Sequence, residues 1–250
     1  MKIALGLEYN GNNYYGWQSQ IHLPTIQSCL EHAISIVANE NINVFCAGRT
    51  DTKVHATGQV VHFETKKYIK NINWIMGINS NLPKDISVHW ISNVKDNFHA
   101  RFSAVARNYR YIIYNDKIRS SILYNGIKHY YINKLNSKLM ERAGKYIIGE
   151  HDFTSFRSIN CQSYTPWRNI HYIYVKRIGK YIIFDIKANS FLYHMVRNII
   201  GILIEIGSGK KPEIWIKKIL YLRNNKFSNY IVSADGLYLT KIFYPKYFFI

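Results

Sequence analysis

Apolar and polar positions alternate from the first residues. Ile3, Leu5, Leu7 and Tyr9 share one side of an extended segment, the period-two signature of a strand. A turn-rich stretch, EYNGNNYYGWQSQ (8–20), follows. Ile26, Leu30, Ala33, Ile34 and Val37 then recur at helical spacing, with Thr25 placed to cap that helix. INVFCA (42–47) and QVVHFET (59–65) read as the second and third strands. Ile69, Ile72, Ile75 and Met76 predict a helix that ends before Pro83, and ISVHWISNV (86–94) a fourth strand. The order is β-α-β-β-α-β, the split ferredoxin-like pattern.

The rest of the chain repeats that order without repeating its residues. RNYRYIIYN (107–115) reads as a strand, and Leu135, Leu139, Ala143, Tyr146 and Ile147 as a helical face. NIHYIYVKR (169–177) and KYIIFDIKA (180–188) are strands joined by a hairpin at Gly179. Residues 191–206 read as an apolar helix, 213–223 as a second opened by Pro212, and LYLTKIFY (237–244) as the last strand. The expected fold class is α+β. Two βαββαβ halves are expected to be related by pseudo-two-fold symmetry and to meet along a mostly antiparallel sheet. The expected division is residues 1–103, carrying the aspartate loop, and 104–250, carrying a tyrosine strand and an arginine helix, with a cleft between them.

Composition narrows the partners. The chain has 250 residues, 48% of them hydrophobic, enough for a sizeable core. Lys and Arg number 33 against 15 Asp and Glu, a formal charge of +18 that suits a polyanion such as nucleic acid. The 21 tyrosines offer faces for stacking on unpaired bases. Cys29, Cys46 and Cys161 form no C-x-x-C pair, so no disulfide framework or zinc site is expected, and the cytoplasm is the default compartment. The apolar run at the N-terminus is too short for a signal peptide, and NIIGILIEIG (198–207) too short to span a bilayer. No phosphate-binding glycine motif calls for a nucleotide cofactor.

Several residues stand out chemically. Asp51 lies in the connection between the second and third predicted strands, two positions from Arg49, whose charge favours an ionised carboxylate; by spacing alone an Asx-turn is the simpler reading. Arg197 sits in a helix apolar on all sides, where a guanidinium needs an acid: Asp51, Asp185 and Glu205 are the candidates. Arg107, Tyr109, Arg110 and Tyr111 interleave cations and rings on one strand, suited to single-stranded or flipped-out RNA, or else to an ordinary aromatic strand. His55 and His62 lack a third metal ligand at suitable spacing.

GRTDTKVHATGQVVHFET, FHARFSA, RNYRYIIYN, HDFTSFRS, TPWRNI, ANSFLYHMVRNIIG and GLYL, taken in order, resemble the tRNA pseudouridine synthase A family along essentially the whole chain. That resemblance implies isomerisation of uridine to pseudouridine at positions 38, 39 and 40 of tRNA, in the anticodon stem-loop. It also implies a homodimer, and neither cofactor nor metal. By motif, Asp51 matches the nucleophile, Tyr109 the ring that packs on the target base, Arg197 the partner that orients the aspartate, and Leu237 an apolar contact to uracil. Arg49, His55, Arg107 and Arg110 are expected to support RNA binding. The family's usual R-T-D-A-G-V-H is altered here to Thr52 and Lys53. A glycine often marks a positive φ, so Lys53 implies either a strained loop or an added phosphate contact. Two rivals remain open on residues alone: a non-catalytic RNA-binding module of split βαβ order, and a metal-free ribonuclease using His55 and Asp51.

Overall fold

A computed structural model describes residues 1–122 and 125–248. The chain divides into two compact units, Met1–Val105 with Tyr238–Ile250, and Ala106–Leu237. The fold class is α+β, and most of the strand pairs are antiparallel.

The first unit contains β1 (Lys2–Tyr9), α1 (Ile26–Ala38), β2 (Phe45–Cys46), β3 (His55–Glu64), α2 (Asn71–Asn81) and β4 (Ile86–Val94). Strand β1 lies between β4 and β3, both antiparallel, and β2 pairs with β3. This is the strand order a split βαββαβ sequence generates. Thr25 caps α1 as the pattern predicts, its side chain accepting from the Ser28 amide. The buried stripe is Ile26, Leu30, Ala33, Ile34 and Ala38. In α2 the buried positions are Trp74 and Ile78; Ile72 and Met76 face solvent. The apolar spacing misjudged this face because a larger side chain, Trp74, docks edge-on against Phe63 at 5.6 Å. Strand β1 is buried on both sides: an added Cβ at Gly6 would meet the Trp90 indole.

Two strand lengths differ from expectation. The second strand is only Phe45–Cys46, and the third starts at His55 rather than Gln59. Its early part finds partners far along the chain, antiparallel at Tyr9↔Ala56 and parallel at Tyr238↔His55 and Leu239↔Ala56. For the same reason residues from Tyr238 onward group with the first unit, whereas division by sequence assigns them to the second.

The second unit holds β5 (Ala106–Asn115), β6 (Lys128–Tyr130), α3 (Ser137–Gly144), β7 (Gly149–Asp152), β8 (Trp167–Ile178), β9 (Tyr181–Ala188), α4 (Met195–Gly207) and α5 (Trp215–Leu222). Its sheet runs β5-β9-β8-β7, with β6 on β5. The β8–β9 hairpin turns at Gly179, φ +56, as expected. Strands β6 and β7 are absent from the sequence pattern; they are short and polar, and only pairing creates them. Helix α4 starts at Met195 instead of residue 191 because His194 adopts a left-handed backbone, φ +64. Eleven of its residues are buried. The last strand, β10 (Leu237–Phe243), begins where this unit ends.

Candidate active site

Asp51 opens a tight turn. The Val54 amide donates to the Asp51 carbonyl at 3.1 Å, leaving Thr52 and Lys53 at the exposed tip. Lys53 has φ +66, the third-position conformation of a type II turn, for which glycine is the ordinary occupant. The turn is clamped from several sides. Ala47 N bonds Val60 O at 2.8 Å, and the fully buried Gln59 side chain donates to Gly48 O at 2.7 Å. Trp17 N donates to Thr50 O at 3.0 Å, and the Thr50 hydroxyl meets Tyr9 Oη at 2.7 Å. Gly16, φ +87, lets its backbone lie where a Cβ would be 2.9 Å from Thr50 O. On the far side, Gly11 N donates to His55 Nδ1 at 3.2 Å, and the His55 ring stacks on Tyr238 at 4.7 Å. A carboxylate on so constrained a turn has little freedom to wander, the condition a positioned nucleophile needs.

The residues that support the turn are only partly visible in the sequence pattern. Tyr9, Gly16, Trp17, Thr50 and Gln59 all hold the aspartate turn, yet neither periodicity nor motif singles them out as site residues. Their signal is the glycine between aromatics of NYYGWQ and a glutamine inside the apolar run QVVHF. His55, expected to flank substrate, is 3% exposed, and Nδ1 is committed to accepting a backbone N–H. Arg49 is exposed. It lies close enough to Cys46 to oppose the burial that pushes that thiol up to about 12.

The second unit gathers another cluster. Tyr109 is half-buried on β5, edge-on to Phe191 at 5.1 Å. Two positions on, Tyr111 is buried and donates its hydroxyl to Ser233 O at 2.9 Å. Burial raises the Tyr111 phenol well above its usual range; the nearby Arg197 charge pulls against it. Arg197 Nε donates to Val232 O at 2.8 Å. Arg197 and Tyr111 thus grip consecutive carbonyls of one segment, 232–233. Leu237 follows, 5% exposed, in a turn closed by Leu237 N to Ala234 O at 2.8 Å. Gly236 is needed there, since a Cβ would sit 2.6 Å from Ile112 O.

The two acids of this unit considered for Arg197 are paired with other cations. Asp185 receives Arg110 through two bonds, at 3.0 and 2.9 Å, and Glu205 lies 3.3 Å from Lys210. Arg110, expected to bind RNA, therefore has its charge partly offset. Arg107 donates to Asn189 O at 3.0 Å. Among the described residues no group of three or more His, Cys, Asp or Glu is arranged to hold a metal ion.

A family model described as tRNA pseudouridine synthase matches residues 7–103 and 143–245. A Pectobacterium atrosepticum protein named tRNA pseudouridine synthase A is 53% identical over 248 residues, spanning 99% of this chain and 87% of its own. One of the same name from Actinobacillus pleuropneumoniae is 54% identical over 248 residues, spanning 99% and 94%. Among solved structures, a chain of a Cbf5-Nop10-Gar1 complex aligns over 81% of this chain and 54% of its own, at 11% identity. Its TM-score is 0.33, a likeness that carries no argument.

Proposed function

The chain belongs to the tRNA pseudouridine synthase family and is an isomerase that converts uridine to pseudouridine in tRNA; from that premise we propose that Asp51 is its nucleophile and that its targets are positions 38, 39 and 40 of the anticodon stem-loop. The reading is carried by one observation: the clamped turn that fixes Asp51 through Gly48, Thr50 and His55.

In the proposed reaction the target nucleotide leaves the stack, at a cost of a few kcal/mol. Tyr109 takes the base on its ring. Asp51 bonds to the nucleotide in a transient covalent adduct that holds it while the uracil turns, and that bond breaks once the new glycosidic bond is made, returning the free carboxylate. The N1–C1′ bond breaks and a C5–C1′ bond forms; N1 gains a proton and C5 loses one. Nothing is oxidised, so the scheme includes no redox cofactor, and no step in it uses a metal. Arg197 is the cation proposed to serve the nucleophile's ionised state, since Asp185 and Glu205 already have cations of their own. Leu237 supplies apolar contact to the uracil. Arg49, Arg107 and Arg110 are proposed phosphate contacts, and His55 supports the turn from beneath. The order β1-α1-β2-β3-α2-β4 of the first unit supports the βαββαβ plan proposed for both halves; the second unit runs β5-β6-α3-β7-β8-β9-α4-α5. A homodimer and a cytoplasmic location complete the proposal; three free thiols fit that compartment.

The decisive experiment replaces Asp51 with Asn. Asparagine makes the same turn, so the fold and RNA affinity stay near wild type. Single-turnover conversion of a tRNA carrying uridine at 38–40 is expected to fall to background. Substantial conversion by Asp51→Asn would sink the mechanism, and conversion at other tRNA positions only would move the target.

A further inference from the structure

We propose that Lys53 is a phosphate-binding residue of the RNA site, contributing to affinity beside Asp51. The inference rests on the reading that this enzyme acts on tRNA. Lys53 occupies the third position of the Asp51–Val54 turn with φ +66. A side chain with a Cβ is disfavoured there relative to glycine. The turn cannot relax to avoid this. Gly11 lies where a Cβ would be 2.1 Å from Val54 O and 3.2 Å from the Lys53 carbonyl carbon, and Gly16 packs against Thr50 to Thr52 in the same way. The lysine is exposed and makes no hydrogen bond or ion pair with any described residue. It thus gives the free protein nothing that offsets the backbone cost.

What it does present is an ammonium, on a rigid tip, two residues from the carboxylate proposed to attack. A nucleotide delivered to Asp51 brings its own backbone phosphates with it. A lysine acts on such a group as a point charge whose flexible stem adapts to the exact phosphate position. The exposed Arg49 stands two residues before Asp51 as Lys53 stands two after it, so cations bracket the carboxylate along the chain. The ligand class is an RNA phosphodiester, contacted without regard to base.

Three variants test this: Lys53→Asn, which tolerates positive φ without charge; Lys53→Gly, which removes the backbone cost as well; and Lys53→Arg, which keeps the charge. Affinity for a tRNA substrate is measured across a salt series, alongside single-turnover rate at saturating RNA. The expected result is a Kd raised about 3- to 10-fold for Asn and Gly near 0.1 M salt, with the salt slope smaller by about 0.7–0.9. Arginine should bind like wild type, and all three should convert at the wild-type rate once saturated. Unchanged Kd and slope in Lys53→Asn would overturn the proposal. So would a slower saturated rate at unchanged Kd, which would place Lys53 in the chemistry. Wild-type protein run in the same assays separates the two levels: if it converts no uridine, the proposed function fails; if it converts and Lys53→Asn binds equally, only this inference fails.

Discussion

A single imidazole shows how strongly burial acts in the first unit. His62 is 3% exposed and packs against Phe45, Phe98 and His99, with Nδ1 accepting from Ala100 N at 3.1 Å. Burial, then the neighbouring His99 and Lys2, push its pKa down to about 4. The unfolded chain binds that proton near pH 6.5 and the folded chain does not. Stability is therefore fully present above about pH 6.5 and is lost as pH falls toward 4, by up to about 3 kcal/mol. Urea midpoints at pH 7 and pH 4.5 should differ accordingly. In His62→Asn, whose Oδ1 can replace the accepting nitrogen, the difference should shrink. An equal pH effect in both proteins would show that other groups control it.

Helix α4 links packing to the site at the next scale. It is apolar on nearly every side, and Gly201 in its middle admits the backbone of Tyr230: an added Cβ would lie 1.5 Å from Tyr230 O. The segment after Tyr230 carries Val232 and Ser233, the carbonyls held by Arg197 and Tyr111. Gly201→Ala gains up to about 1 kcal/mol of helix propensity but forces the helix and that segment apart. The net expectation is a loss of about 1–3 kcal/mol, read as a lower urea midpoint, with slower uridine conversion. A midpoint at or above wild type would mean the segment moves aside freely.

Across the whole molecule, net charge has the greatest reach. At +18 the chain should bind tRNA through many phosphate contacts, each releasing counterions. With about six to ten contacts, affinity should fall by roughly 10³ to 10⁵ between 50 and 200 mM salt. A titration in which Kd barely moves over that range would show that shape and base contacts carry the binding instead. Among the described residues no helix is long and apolar enough to cross a membrane.

Periodicity and local chemistry were enough to predict the α+β class, the order of elements in the first unit, the Thr25 cap and the Gly179 hairpin. Each depends on residues close in sequence, where side-chain spacing and turn preferences act directly. The family motifs single out Asp51, Tyr109 and Arg197, whose roles are those proposed above. Only the tertiary structure decided the rest. Strands β6 and β7, the early start of β3 and the grouping of Tyr238 onward with the first unit all come from pairing between distant segments. The cations on Asp185 and Glu205, the clamp on the aspartate turn and the positive φ at Lys53 are also decided there. A backbone amide or a charged group is satisfied by whichever partner the fold brings near it, and pattern along the chain does not record which partner that is.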